Sequence, residues 1–237
     1  MPLLTPPFQE ARMNVCFIPA RKGSKGIPGK NKKDFCGKPL VQWSIDQAKE
    51  SKLFDKIIVS SDDQDILDIA ERCSVEAVPR MDELSGDDVA LDDVMFDFFA
   101  REENACDYIC LLQPTSPLRS IEDITETYKA IKRKKWSSVV TVQWNPIMGW
   151  VKNPSRAGSM CLYQIHKRPN RQTRDNFFLE NGAVYWVKHS KFLNSGNRIV
   201  NPQDSCLYEM PPERSLELDT PYGWFIAEKT FEYLVGR

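Results

Sequence analysis

Histidine is scarce in this chain: His166 and His189 are the only two among its 237 residues. A Ser-His-Asp or Cys-His catalytic mechanism therefore has little material to draw on. The seven cysteines are odd in number and include no C-x-x-C pair. A zinc site and a disulfide framework are both disfavoured. The sequence instead predicts buried, reduced thiols in a cytoplasmic protein.

Long apolar runs and a large net charge are also missing. No run approaches the length needed to span a bilayer, and a formal net charge of −1 gives no global field for nucleic acid or an anionic membrane. Residues 1–12 lack the basic and apolar regions of a secretory signal and are predicted to be a loose extension. The composition, 41% hydrophobic and 27% charged, is typical of a globular domain, which we place at residues 13–237.

Strand and helix patterns alternate along the first 142 residues. The predicted strands are 15–18, 56–60, 75–78, 108–112 and 137–142, with sheet character returning at 183–187. One predicted helix begins at Pro39, and a second follows a cap in Ser61-Asp62-Asp63. Three more are predicted over residues 91–103, 121–135 and 221–234. This rhythm predicts an α/β fold with a mostly parallel sheet flanked by helices on both faces. It stops at Trp144, so residues 144–182 are predicted to be an excursion.

The stretch IPARKGSKGIPGKN, residues 18–31, links the first strand to the first helix. It places three glycines, Gly23, Gly26 and Gly29, among four cations, Arg21, Lys22, Lys25 and Lys30. Glycines let backbone amides turn toward an anion, and the cations would neutralise a polyphosphate. The spacing fits neither a Walker loop nor a dinucleotide fingerprint. We predict a nucleotide phosphate site here; a solvated basic turn is the alternative.

A second string, Leu111 to Arg119, follows the buried fourth strand. Open α/β sheets bind ligands outside the carboxyl ends of their strands. Gln113, Thr115 and Ser116 offer neutral donors and acceptors that suit sugar hydroxyls. The alternative is a proline-stiffened turn that caps the next helix.

Two further strings lie late in the chain. In the first, Ser215 to Pro221, alternation predicts Glu217 and Asp219 on one face of a strand, where Mg²⁺ would bind two carboxylates together with substrate phosphates. The alternative is a solvated strand end and a helix cap. The other string is Arg171-Gln172 followed by Asn181-Gly182-Ala183-Val184-Tyr185, in which Asn181-Gly182 is a turn signal.

These four strings, in this order and at these separations, resemble the CMP-sialic acid synthetase family of cytidylyltransferases from Asn14 to about Glu228. The related CMP-Kdo synthetases carry an arginine where this chain has Ser24-Lys25-Gly26-Ile27-Pro28, which favours nine-carbon acid sugars over Kdo. The resemblance implies a Rossmann-like fold of the nucleotide-diphospho-sugar transferase type. It also implies a homodimer whose subunits exchange the excursion, residues 144–182.

The reaction implied by the resemblance joins CTP to a 2-keto acid sugar, giving a CMP-sugar and pyrophosphate with Mg²⁺. The nucleotide contacts carried over are Arg21, Ser24, Lys25 and Asn31 for phosphates and ribose, with Gly23 beside them, and Ser85, Gly86 and Asp87 for cytosine. The sugar contacts carried over are Gln113, Asn181 and Tyr185, with Arg171 reaching the sugar carboxylate from the neighbouring subunit. Glu217 and Asp219 would hold the metal, and Arg21, Lys25 and Asp219 would carry the catalysis.

The chain departs from the family pattern mainly in the sugar half. Glu217 and Gly223 stand where the family has aspartates, and Met148 stands for a sugar-contacting lysine of the bacterial enzymes. Gly196-Asn197-Arg198-Ile199-Val200 replaces a segment with a phenylalanine pair. We therefore expect legionaminic or pseudaminic acid as much as N-acetylneuraminic acid. Another activated-sugar nucleotidyltransferase and a nucleotide-binding dimer without chemistry are the alternatives, but Lys25 and Asp219 favour the enzyme.

Overall fold

A seven-stranded sheet forms the centre of the computed structural model, which describes residues 13–133, 136–145, 149–152, 159–161, 170 and 177–236. The strands are β1 (Asn14–Pro19), β2 (Asp34–Phe35), β3 (Lys38–Pro39), β4 (Lys56–Ser61), β5 (Glu76–Pro79), β6 (Tyr108–Leu112), β7 (Ser138–Trp144), β8 (Trp150–Lys152), β9 (Ser159–Cys161), β10 (Phe178–Lys188) and β11 (Ser205–Glu209). The central sheet has the order β11-β7-β10-β6-β1-β4-β5. Only β10 runs antiparallel to its neighbours in that sheet, so the predicted mostly parallel sheet is confirmed.

Strands β1 and β6 lie in the middle of the sheet and are buried on both faces. Cys16 and Leu112 join the core on one side, whereas Phe17 and Leu111 join the core on the other. A strand that is covered on both faces needs an apolar side chain at almost every position. This requirement explains why both strands appear in the sequence as continuous apolar runs.

Helices cover both faces of the sheet, as predicted. They are α1 (Leu40–Ser51), α2 (Gln64–Arg72), α3 (Leu91–Phe99), α4 (Ile121–Arg133), α5 (His189–Ser195) and α6 (Pro221–Val235). Helices α1, α2 and α4 pack on one face, and α3 and α5 on the other. Asp63 caps α2 by accepting a hydrogen bond from the amide of Asp65, as its position before the helix predicted. Helix α3 ends at Phe99, four residues earlier than expected.

Strand β10 differs from the prediction at its beginning. It starts at Phe178 rather than Ala183, so Asn181-Gly182 lies inside a strand and forms no hairpin turn. The pairing register with β7 shifts between Glu180 and Tyr185, and Gly182 has a φ of 65° within this β-bulge. The positive φ that favours Asn-Gly in turns is used here to bulge a strand instead.

Residues 215–220 form no strand, which corrects the prediction for the carboxylate string. The segment is held by the amide of Leu218, which donates to the carbonyl oxygen of Thr115 at 2.8 Å. Alternation nevertheless survives: Leu218 is buried, whereas Glu217 and Asp219 turn outward. The two carboxylates therefore share one side of an extended segment without belonging to the sheet.

The predicted excursion is described only in part. Strands β8 and β9 within it pair as a small antiparallel ribbon. Arg171, Met148 and the extension at residues 1–12 lie outside the described residues, and the domain limits stay predictions. All seven cysteines are free thiols, with Cys16 and Cys110 buried and the others half-buried. In the ranges that the structure covers, no helix combines the length and apolar character needed to cross a membrane.

Candidate active site

A pocket of about 270 Å³ opens at the carboxyl ends of β1, β5 and β6. The predicted site residues that line it are Arg21, Gly23, Ser24, Asn31, Gly86, Asp87, Gln113 and Thr115. They come from three separate parts of the chain, which meet because the parallel strands that precede them end at the same edge of the sheet. The fold thus brings the glycine-rich loop and the Gln113 loop together, as the sequence predicted.

The glycine-rich loop is held in shape by polar side chains. Asn31 is buried, and its side-chain amide donates to the carbonyl oxygen of Arg21 at 2.9 Å. The amide of Lys22 donates to Asp62 at 2.7 Å. Gly29 has a φ of 62°, a left-handed conformation that glycine adopts without strain. Asn31 therefore braces the loop, and its contact with a ribose stays a prediction.

Asp87 pairs with the two cations predicted to bind phosphate, of which Arg21 lines the pocket and Lys25 is an exposed side chain outside the lining residues. Its carboxylate lies 2.8 Å from Nη1 of Arg21 and 2.9 Å from Nζ of Lys25. The hydrogen bond from Lys25, reinforced by Arg21, lowers the pKa of the Asp87 carboxyl below its ordinary value. Ser85, by contrast, donates its hydroxyl to the carbonyl oxygen of Met81. The cytosine contacts predicted for residues 85–87 stay predictions.

Two further cations line the pocket: Lys30, which was named among the loop cations but given no individual site role, and Arg80, which was missed. Nζ of Lys30 lies 2.7 Å from Oδ1 of Asp219, and the lysine side chain is only 10% exposed. Arg80 donates to the carbonyl oxygen of Ser60 at 3.0 Å, and burial lowers the pKa of its guanidinium. Lys30 was visible as one cation among several in the loop, but the sequence does not tell which one turns inward. Arg80 stands in no motif.

Glu217 and Asp219 supply a paired carboxylate next to this pocket. Burial of the carboxyl, followed by the charge of Asp219, raises the pKa of Glu217. Across the described ranges, no cluster of three or more Asp, Glu, His or Cys side chains could hold a metal ion alone. Mg²⁺ commonly takes one or two carboxylates and completes its shell with water and substrate phosphates. The donor set therefore fits Mg²⁺ that arrives together with a polyphosphate.

Ser116, Asn181 and Tyr185 lie behind the pocket wall and make hydrogen bonds within the protein. The Ser116 hydroxyl donates to the carbonyl oxygen of Asn181 at 3.1 Å, and the Asn181 amide donates to Oγ of Ser215 at 3.0 Å. The Tyr185 hydroxyl donates to Glu180 at 3.0 Å. All three predicted sugar contacts are buried. In the described structure Ser116 and Asn181 brace β10 against neighbouring segments, whereas the Tyr185 bond stays within β10. Their contacts with a sugar stay predictions.

Arg198, the cation noted in the altered sugar segment, is paired. Its Nη1 lies 2.9 Å from Asp92, and its guanidinium lies 4.9 Å from the centre of the Tyr185 ring. A cation above an aromatic face is attracted by the ring quadrupole. The segment thus places a charge-balanced ion pair against the buried Tyr185 ring, where a phenylalanine pair would place apolar rings.

Arg119 ties the Gln113 loop to the rest of the sheet. It is 2% exposed, and its Nη1 donates to the carbonyl oxygens of Gln113 and Ala183, both at 2.8 Å. Its Nη2 donates to Oγ of Ser44 on α1. Burial lowers the pKa of this guanidinium to about 10, so it remains charged at neutral pH. One side chain therefore joins β6, β10 and α1 directly behind the pocket.

A mostly parallel sheet, a glycine- and cation-rich loop after the first strand, and a pocket at the carboxyl ends of the strands define a nucleotide-binding α/β protein. The sequence profile described as cytidylyltransferase matches residues 15–153, which is more than half of the chain. The chain belongs to the cytidylyltransferase family.

Relatives with curated names agree with this family. The chain is 31% identical over 229 residues to the N-acylneuraminate cytidylyltransferase A of Danio rerio, covering 95% of this chain and 52% of the fish protein. It is 36% identical to the pseudaminic acid cytidylyltransferase of Campylobacter jejuni (87% and 91% covered). It is 30% identical to the CMP-N,N'-diacetyllegionaminic acid synthase of Legionella pneumophila (92% and 96% covered). The chain thus spans about half the length of the fish relative but nearly all of the two bacterial ones.

A solved structure shares the fold. The CMP:2-keto-3-deoxy-manno-octonic acid synthetase, determined as a complex with CTP, superposes with a TM-score of 0.70 and covers 94% of this chain and 99% of its own. At 17% identity this similarity shows the fold alone. It confirms the predicted nucleotide-diphospho-sugar transferase type of Rossmann-like architecture.

Proposed function

We propose that this chain is a cytidylyltransferase that activates a nine-carbon 2-keto acid sugar with CTP and releases pyrophosphate. The observation that carries the proposal is the Lys30–Asp219 ion pair, which joins the glycine-rich loop to the carboxylate segment 189 residues away. The ion pair thereby brings together a cation, which a triphosphate requires, and a carboxylate, which its metal ion requires. The curated names of the three relatives support the nine-carbon acid sugar.

In the proposed reaction the anomeric hydroxyl oxygen of the sugar attacks the α-phosphorus of CTP. The new P–O bond forms as the bond to pyrophosphate breaks, and the hydroxyl proton is lost. Arg21, Lys25 and Lys30 would neutralise charge on the phosphates, and Gln113 would orient the sugar. Glu217 and Asp219 would hold Mg²⁺, which when bound neutralises further phosphate charge. Among the described side chains we assign no general base.

The ion pairs of Asp87 lead to a prediction for nucleotide binding. Because Asp87 pairs with Arg21 and Lys25, the two cations proposed to bind the CTP phosphates, the phosphates would compete with its carboxylate for them. The substitution Asp87→Asn removes the competing charge and keeps the size of the side chain. We expect it to lower the Kd for CTP several-fold in isothermal titration calorimetry at low salt.

The neighbouring carboxylate provides the control for this experiment. Asp88→Asn makes the same change of net charge one residue further along, outside the residues that line the pocket, and we expect it to leave the Kd almost unchanged. Weaker CTP binding by Asp87→Asn would contradict the displacement argument. It would instead favour the direct nucleotide contact that the family resemblance implies for residues 85–87.

The sugar is proposed to be a diamino nine-carbon acid, legionaminic or pseudaminic, at least as readily as N-acetylneuraminic acid. The Arg198–Asp92 ion pair beside Tyr185 supports this choice, because polar groups near the proposed sugar contact suit additional amide substituents. The test is pyrophosphate release with CTP and Mg²⁺ against N-acetylneuraminic, legionaminic, pseudaminic and Kdo acids. Release with a nine-carbon acid supports the proposal. CTP binding without release from any of the four would favour a nucleotide-binding protein that has lost its chemistry.

We also propose a cytoplasmic homodimer in which Arg171 of one subunit reaches the sugar carboxylate of the other. Exposed apolar side chains on β8 and at the start of β10, among them Val151 and Leu179, support an assembly interface. The free cysteines, which are typical of a reducing compartment, and the proposed use of CTP support a cytoplasmic location. Arg171→Ala should raise the KM for the acid sugar much more than the KM for CTP. Equal rises in both would indicate that Arg171 serves only the assembly.

A further inference from the structure

The β-bulge in β10 brings the strand backbone unusually close to the Glu217 carboxylate. A Cβ placed on Gly182 would lie 2.3 Å from Oε1 of Glu217 and 3.2 Å from Oε1 of Gln113. Real Cβ atoms do not approach an oxygen to 2.3 Å. The missing side chain therefore leaves a notch in β10, and two oxygen atoms from different segments converge on it.

Conformation alone does not explain the glycine at this position. Gly182 has a φ of 65°, and Gly196, at the end of α5, has a φ of 68°. A Cβ on Gly196 would meet nothing within 4 Å. Both glycines have a positive φ, but of the two only Gly182 also lies close to a side chain of the site, that of Glu217.

The second carboxylate residue rests against a glycine as well. A Cβ on Gly26 would lie 2.0 Å from the backbone carbonyl oxygen of Asp219. The carboxylate segment is thus packed between the glycine-rich loop on one side and the β10 bulge on the other. Its buried Leu218, bonded to the Thr115 carbonyl, anchors it in between.

We propose that Gly182 is a positioning residue, whose notch seats the Glu217 carboxylate beside Gln113. This inference rests on the proposed function, in which Glu217 holds Mg²⁺ and Gln113 contacts the sugar. The physical basis of the proposal is that the atoms at the notch are Oε1 of Glu217 and Oε1 of Gln113. Both belong to the ends of flexible side chains, so a methyl group at position 182 displaces the carboxylate and leaves the backbone in place. β-bulges next to active sites commonly re-aim side chains in this way.

The test compares Gly182→Ala with Gly196→Ala. Both variants place alanine at the same positive φ, so we expect similar decreases in Tm. Binding of Mn²⁺ in the presence of CTP is measured by electron paramagnetic resonance, without any sugar. We expect Gly182→Ala to weaken Mn²⁺ binding about tenfold or more, the range found when a group that orients a metal ligand is changed. Gly196→Ala should bind Mn²⁺ like the parent protein.

A shorter carboxylate provides a rescue. Glu217→Asp withdraws the carboxylate from the notch by one methylene, so the methyl group of Gly182→Ala no longer displaces it. The double variant should bind Mn²⁺ no more weakly than Glu217→Asp alone, which is a strong coupling between the two positions. Additive losses, or parental Mn²⁺ affinity in Gly182→Ala, would overturn the proposal.

Failure of the proposed function would be distinguishable from failure of this inference. A parent protein that binds Mn²⁺ with CTP but turns over no sugar would overturn the function and leave the metal comparison intact. A parent protein that binds no Mn²⁺ with CTP would overturn the positioning role directly.

Discussion

Asp219→Ala is expected to lower kcat for nucleotidyl transfer by about a hundred- to a thousandfold, the loss typical when one group that stabilises the transition state is removed. The substitution has two consequences. It deletes one of the two carboxylates proposed to hold Mg²⁺, and it leaves the nearly buried ammonium of Lys30 without its partner at 2.7 Å. The measurement is steady-state pyrophosphate release at saturating CTP and sugar.

A remote lysine–aspartate pair controls for the loss of an ion pair as such. Asp46 on α1 is paired with Lys38 on β3, and neither residue lines the pocket. Asp46→Ala should leave kcat close to the parental value. If Asp219→Ala kept kcat within about tenfold of the parent, Asp219 would serve only as the partner of Lys30, and the proposed metal site would be wrong.

The second large effect is expected on stability. Arg119→Ala should lower the free energy of unfolding by about 3–5 kcal/mol, because it leaves a cavity in the core and removes the hydrogen bonds that three acceptors receive from the charged guanidinium. The carbonyl oxygens of Gln113 and Ala183 would then lose their guanidinium donor, although Gln113 would keep the hydrogen bond from the Ser116 amide at 3.2 Å. For a chain of this length such a loss corresponds to a decrease in Tm of roughly 10 °C. Denaturant unfolding and calorimetry together measure it.

The matched control is an arginine in an exposed pair. Arg101 lies 2.9 Å from Asp97 on the surface of α3. Arg101→Ala should change the free energy of unfolding by less than about 0.5 kcal/mol. Arg119→Lys should recover little of the loss, because an ammonium cannot reach three acceptors in the planar geometry of a guanidinium. Full recovery by lysine would mean that charge, and not the bridging geometry, is what this position requires.

Much of the sheet could be predicted because local composition reports burial directly. β1 and β6 are apolar at almost every position, since both of their faces are covered. Asp63 was recognisable as a helix cap from its chemistry and position. Strand β11 was missed because it is a short edge strand with half-exposed side chains, whose pattern is not distinct from that of a loop.

The β10 bulge could not be predicted from its dipeptide. Asn181-Gly182 favours a positive φ in any sequence, but whether that conformation makes a turn or a bulge depends on the strands that pair on either side. The carboxylate string was predicted correctly in its alternation and wrongly as a strand. Its backbone finds a partner in Thr115, more than a hundred residues away, and not in a neighbouring strand.

The site was predictable where a motif marks it and not where tertiary packing selects a side chain. Arg21, Ser24 and Gln113 line the pocket as expected, because the loops that carry them follow parallel strands. The inward turn of Lys30 and the presence of Arg80 depend on packing. The Asp87 ion pairs likewise join two loops whose distance in space is set only by the finished fold.

Asp87 also bears on how the pocket empties after a catalytic cycle. In the proposed reaction, the departure of pyrophosphate would leave Arg21 and Lys25 without the phosphate charge that they are proposed to neutralise. The Asp87 carboxylate, which lies within 3 Å of both cations, would supply a replacement negative charge. The attraction that these two cations exert on the departing pyrophosphate would therefore be weaker than if only water replaced it. The same contact that CTP would have to break on entry would thus favour product release, a step that limits the turnover of many enzymes.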